Sequence, residues 1–259
     1  MGLFQQPGKP IGRPIPCQCL PGARLPAARP DGTLRGLQRV ILREGGALEI
    51  RNEVDGQAVL AAWLRSDWNS PARQEIEFRL FIWNVGQDLI ERPRLDRRWD
   101  HWVRLKLLEG LKEPVWERLP EDTRWMEAAA TPADVAGWRT RPGDAAWDIL
   151  SGGSGRIADV AACARAGELP RRCPVREAHQ CQATLDLIKR IARGLDRRPI
   201  ADPILLLAPA ESGPFTILDG HKRAAAAHWV GALDGRAAEV GSLAVYVGVS
   251  PQPCAFRRD

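Results

Sequence analysis

The stretch Pro214-Phe-Thr-Ile-Leu-Asp219-Gly220-His221-Lys222-Arg223 constrains this chain more than any other. A short apolar run meets an Asp-Gly pair, then cationic residues, then Ala224-Ala-Ala-Ala-His228-Trp229. That order predicts a strand, a tight turn at glycine and a helix, because glycine enters left-handed backbone at little steric cost. The first N–H groups of a helix lack intrahelical acceptors, so such a turn makes an anion site. His221, Lys222 and Arg223 fall on the first helical turn, where cations oppose the helix dipole. Cations held there point to a ligand more negative than they are positive. A phosphate chain is the natural candidate.

Upstream residues extend the unit. Pro203-Ile-Leu-Leu-Leu-Ala208 is a second apolar run, and Ser212-Gly213-Pro214 separates it from Phe215-Thr-Ile-Leu218. Two strands joined by a tight turn account for that pattern. A helix is expected before them, capped by Thr184, with Leu185, Ile188, Ile191 and Ala192 on one face and Gly194 at its end. Helix, hairpin, Asp-Gly-His-Lys-Arg, helix: across residues 170–250 the chain resembles the ParB/sulfiredoxin superfamily, closest to its kinase members. Those proteins carry Gly-His-His-Arg, Gly-Glu-Arg-Arg or Gly-Cys-His-Arg at this turn and bind nucleotide phosphates there.

The resemblance implies that Asp219, Gly220, His221, Lys222 and Arg223 hold the phosphates of ATP. Sulfiredoxin-like reductases place a nucleophilic cysteine where this chain has His221, which argues against their chemistry. Partition proteins continue into a helix-turn-helix module, and only about 25 residues follow the helix here. The free-serine kinases of the superfamily pair a Gly-His-His-Arg turn with an upstream glutamate base. This chain keeps His221 and Arg223 but has Lys222 in place of the second histidine. A lysine is no neutral proton acceptor near pH 7 at its ordinary pKa. The base role therefore moves to Glu177, in Pro174-Val-Arg-Glu177-Ala-His179-Gln180, expected as an extended stretch, with His179 second in line. His221 is the other catalytic candidate. Mg²⁺ is expected to bridge phosphate oxygens, with Asp219 holding it or orienting His221.

The stretch between residues 31 and 150 is different in character. It holds nine of the ten tryptophans, Trp229 being the tenth. Stretches 55–66, 98–112 and 121–138 read as helices, and Glu75–Trp83 alternates as a strand would. Arg94, Arg97, Arg98, Trp99, Trp102 and Arg104 form a cluster suited to nucleic acid, with indoles stacking bases and guanidinium groups on phosphates. Core packing is the simpler role for most other tryptophans. Five lysines leave arginine as 32 of the 37 cationic residues, yet 32 acidic residues hold the formal net charge to +5. That balance gives only weak support to an anionic partner.

Three domains are expected: an extended Pro/Gly-rich arm over 1–30, a mainly helical Trp/Arg-rich substrate domain over 31–150, and a nucleotide-binding domain over 151–259. The fold class is α+β. Ser151-Gly-Gly-Ser-Gly155 opens a helix at Ile157 but lacks the Gly-Lys-Ser/Thr ending of a P-loop, so it reads as a flexible joint. The six cysteines are scattered, Cys17-Gln-Cys19 having no matching second pair, which fits reduced thiols in a cytoplasm better than a zinc site. No apolar run has the length of a membrane span. The expected activity is transfer of the γ-phosphate of ATP to a hydroxyl, preferably on a hydroxymethylated base in DNA, otherwise on a free serine-like molecule. A nucleotide-gated, ParB-like DNA-binding regulator is the alternative. Oligomeric state stays open.

Overall fold

Apolar side chains alternate across two faces of one central sheet, and helices cover both. The computed structural model describes residues 48–111 and 115–258, all within one compact unit spanning Gly36–Asp259. The arm expected over 1–30 lies outside the described residues. In chain order the elements are β1 (Glu49–Val54), α1 (Gly56–Trp68), α2 (Arg73–Ile82), α3 (Asp88–Glu91), α4 (Arg98–Leu111), β2 (Arg124–Ala130), α5 (Ala145–Leu150) and α6 (Ile157–Ala166). There follow α7 (Val175–Gly194), β3 (Ile204–Ala208), β4 (Thr216–Asp219), α8 (His221–His228), α9 (Ala237–Val240) and β5 (Leu243–Val249).

The sheet order is β1-β2-β5-β3-β4. Only β5 and β3 run parallel; the other neighbours are antiparallel. The protein is therefore α+β with a mixed sheet. Strands from both sides of residue 150 share it. Every residue of β3 is buried, as its unbroken apolar run requires when both faces are covered. Ile204, Leu206 and Ala208 join Val245, Val247 and the helices α5–α8 in one core. Leu205 and Leu207 face the other way, with Trp125, Trp63 and the helices α1–α4. Gly248 sits where the layers close: a Cβ there would stand 3.0 Å from Leu207 Cδ2, Thr123 Cγ2 and Trp125 Cη2.

Several helices follow the sequence directly. Asp55 caps α1, its carboxylate accepting from Gln57 N–H at 2.7 Å, and Val59, Leu60, Trp63 and Leu64 are buried as their spacing predicts. Alanines 224–227 are all fully buried, so their small side chains let α8 sit close to its neighbours.

Other stretches depart from expectation. Glu75–Trp83 is not a strand: Glu75–Ile82 lies within α2 and Trp83 follows it at the helix end. Its i,i+4 ion pairs Arg73–Glu77 and Glu75–Arg79 and the buried pair Ile76/Leu80 suit a helix, leaving the alternating Phe78 and Ile82 exposed. Within 121–138, expected as a helix, lie β2 and a single 3₁₀ turn at Asp134–Gly137. Pairing with strands on both edges overrides the helix propensity of its alanines. Thr184 lies inside α7, buried, and caps nothing; the helix begins at Val175 behind Pro174, whose φ is −62°. The Ser151–Gly155 stretch is a closed turn, not a joint. Its N–H groups donate inward, Gly152 to Ile149 O, Gly153 to Asp148 O and Gly155 to Ser151 Oγ. Those groups are accordingly spent within the turn.

Candidate functional site

The Gly220 turn joins β4 to α8 at one end of the sheet. Asp219 closes β4 opposite Leu205 of β3, so the turn and the residues just before β3 meet there. Gly220 has φ +93°, the left-handed conformation the Asp-Gly pair predicted. A Cβ on Gly220 would stand 3.0 Å from Arg223 Nη2 and 3.2 Å from Ile204 Cγ1, so the backbone approaches both closely.

Arg223 is held by α1 and by carboxylates. Its Nη1 donates to Ser66 Oγ at 2.6 Å, and its Nη2 donates to Asp219 Oδ2 at 3.0 Å. Asp202 Oδ2 lies 3.8 Å from Nη1, while Asn69 Nδ2 donates to Asp202 Oδ1 at 3.3 Å. The Arg223 side chain is 15% exposed. It is a fork fixed in direction before any ligand arrives.

His221 faces the other side of the turn. Its ring stacks on Trp147 with centroids 4.9 Å apart. Its Nε2 accepts from Arg141 N–H at 3.4 Å, which places the ring proton of a neutral His221 on Nδ1. Lys222 is half-buried in the first turn of α8, which itself contains no acidic residue.

Beside Asp202 opens a cavity of about 450 Å³, walled by Arg65 of α1, Asn69 just after that helix, Glu127 of β2 and Tyr246 of β5. Burial pushes the Tyr246 phenol above its usual range; Glu127 adds to that and Arg65 opposes it. Asp202 is thus the carboxylate shared by the cavity and Arg223. None of Ser66, Asn69, Asp202, Trp147 or Arg141 was singled out by sequence reasoning. Asp202 directly before the apolar run at Pro203 was the one available signal.

Glu177 lies elsewhere. It stands in the first turn of α7, helical and not extended, with Oε1 3.2 Å from Arg176 Nε. Its charge bears on Cys181, whose thiol is pushed up to about 12 chiefly by burial and also by a hydrogen bond with Cys173. His179, two residues on, is exposed.

The Trp/Arg cluster splits. Trp99 and Trp102 are 62% and 47% exposed and stack on each other at 4.9 Å, with Arg94, Arg97 and Arg98 exposed around them. Arg104 is fully buried, donating from Nη2 to Arg94 O at 3.3 Å. That removes it from any contact surface: at the fourth helical position beyond Asp100 it points into the α1–α4 layer. Burial holds its pKa below the usual value, opposed by Asp100. Trp63, Trp68, Trp125, Trp138 and Trp147 are buried and serve the cores. Set against protein-family models, curated proteins and solved structures, the chain matches none.

Proposed function

We propose that the chain is a nucleotide-dependent phosphotransferase built on a ParB/sulfiredoxin-like turn, carrying the γ-phosphate of ATP to a hydroxyl. The observation that carries the reading is the pre-oriented Arg223 fork beside a left-handed Gly220 and the open end of α8. Backbone N–H groups of α8 with Lys222 and Arg223 hold the phosphates, since phosphoryl transfer depends on positioning and charge neutralisation. In place of Glu177 we assign the base role to Asp202, which touches Arg223 and lines the adjoining cavity. The hydroxyl oxygen attacks the γ-phosphorus, Asp202 takes its proton, and the bond to the β–γ bridging oxygen breaks so that ADP leaves. The carboxylate of Asp219 is engaged by Arg223 at 3.0 Å. That arrangement suits an orienting role for Asp219 and does not fit a metal ligand, so no step is routed through Mg²⁺ there.

The preferred acceptor remains a hydroxymethylated base in DNA, displaced from the stack and steadied at Trp99 and Trp102. The test is incubation with γ-labelled ATP and, separately, hydroxymethylated DNA or free serine. Label in the DNA or in the amino acid supports the transferase and identifies the acceptor class. Hydrolysis that merely follows DNA binding would make the chain a nucleotide-gated DNA-binding regulator.

A further inference from the structure

A second cavity, of about 390 Å³, lies between the end of β1, the 3₁₀ turn Trp116–Arg118 and the start of β2. Trp116, Trp125, Glu53, Glu117, Glu121 and Arg124 wall it, and no residue of the Gly220 turn takes part. The two indoles are parallel within 4°, centroids 5.5 Å apart. Gly56 keeps the space beside them open: a Cβ there would stand 3.4 Å from Trp116 Cζ2 and 3.5 Å from Trp125 Cδ1.

Trp125 is 95% buried, being 5% exposed. Its Nε1 lies 3.8 Å from that Cβ position, on the side of cavity-lining Gly56. Among the described residues no acceptor hydrogen-bonds it. The donor is not sealed from water, and an oxygen held in the cavity would replace a water molecule as its acceptor.

The rim is negative. Arg124 is drawn toward Glu211 at 3.8 Å, which lessens its hold on the cavity carboxylates. Glu53 and Glu121 are exposed. Glu117 shares Lys106 with Glu109, at 3.7 Å against 2.7 Å for Glu109, and its hydrogen bond with Glu109 raises its pKa, so Glu53 and Glu121 carry most of the rim's negative charge. Carboxylates around an indole surface favour an organic cation, attracted both by charge and by the ring quadrupole. The volume suits a small molecule or one residue of a chain.

We propose that this cavity binds an alkylammonium group carrying an oxygen acceptor beside its cationic centre. The ammonium lies against Trp116 and the glutamate rim, and the oxygen accepts from Trp125 Nε1–H. An amino alcohol and the first residue of a peptide share this chemistry.

The experiment follows the indole N–H resonances of the ¹⁵N-labelled full chain. Choline, ethanolamine and glycinamide are titrated separately, against sodium chloride at matched ionic strength, tetramethylammonium and 1-propanol. Saturable shifts confined to the Trp116 and Trp125 signals are expected with at least one oxygen-bearing ammonium. Ethanolamine or choline as the tighter arm marks an amino alcohol, and glycinamide marks a peptide terminus. Tetramethylammonium, lacking the acceptor, should bind about five-fold more weakly. Glu53→Gln/Glu117→Gln/Glu121→Gln, with all three changes on the surface, should weaken binding by about ten-fold or more, and Trp116→Leu by about five-fold. Shifts equal to those with sodium chloride or 1-propanol, no saturation with any ammonium, or unchanged affinity in the triple variant would overturn the proposal.

Discussion

Arg223 Nη1 donates to Ser66 Oγ at 2.6 Å, tying the Gly220 turn to α1 across 157 positions of sequence. Ser66 is 8% exposed, so little water replaces it when removed. Ser66→Ala should therefore cost about 1.5–3 kcal/mol in urea unfolding, the range for a lost bond to a charged group. Arg223→Ala should cost more, because Asp219 and Asp202 then lose their shared counter-charge. It should also abolish nucleotide binding measured by calorimetry. Arg223→Lys keeps the charge but not the fork, and an intermediate affinity is expected.

The assignment of Asp202 as base separates from Glu177 by a pair of conservative variants. Asp202→Asn should lower label transfer by about 10²-fold or more, the usual worth of a positioned base. Nucleotide affinity should hold or rise, since the change removes a carboxylate from beside Arg223. Glu177→Gln should leave transfer within about two-fold. The opposite pattern, transfer lost in Glu177→Gln and kept in Asp202→Asn, would return the role to α7.

Gly220→Ala tests the turn itself. A side chain at φ +93° is strained, and here it would also press on Ile204 and Arg223. A loss of about 1–2 kcal/mol is expected in denaturant titration. Gly220→Asn, better tolerated in that backbone region, should recover part of it.

What the sequence made legible was local. Punctuated runs such as Pro203–Ala208 and Asp219-Gly220 carry their own boundaries, and β3, β4 and α8 lie where those signals put them. The helical period over 55–66 likewise marked α1. What escaped was long-range. β2 is a strand because Met126 and Ala128 pair with Val247 and Val245 far along the chain, and no window of sequence contains that pairing. Alternation in Glu75–Trp83 misled for a related reason: α2 buries only Ile76 and Leu80 and leaves its remaining apolar residues outside. The candidate site divides the same way. The turn residues were visible, whereas Ser66, Asn69 and Asp202 reach it only through folding.

Arg104 offers a prediction in the opposite direction from most core changes. It is fully buried, and among the described residues its Nε and Nη1 have no hydrogen-bond partner and its bond is to Arg94 O. A buried charge so poorly compensated costs more than a well-packed apolar chain of similar length. Arg104→Met should be neutral or raise the thermal midpoint, with DNA retention unaltered. Trp99→Ala/Trp102→Ala should leave stability nearly unchanged, since both rings are largely exposed. That double variant should weaken retention of single-stranded DNA by about ten-fold or more, at roughly 1–3 kcal/mol per stacked base.

Cys181 sets an alkaline limit to stability. Its side chain is fully buried in the α5–α8 core, and burial lifts its thiol to about 12 from an ordinary value near 9.0. The folded pKa lies above the unfolded one, so the native state holds the proton more tightly. Its contribution is complete below the unfolded pKa near 9.0 and is lost as pH rises toward 12. Urea midpoints should therefore fall progressively across that window. Cys181→Val removes the titrating thiol at similar volume, so its midpoints should fall less steeply there while matching the wild type near pH 7. Equal slopes in the two proteins would assign the alkaline loss to other groups. The same burial should leave Cys181 unreactive toward a thiol reagent in native protein at pH 8, and reactive once urea unfolds the chain.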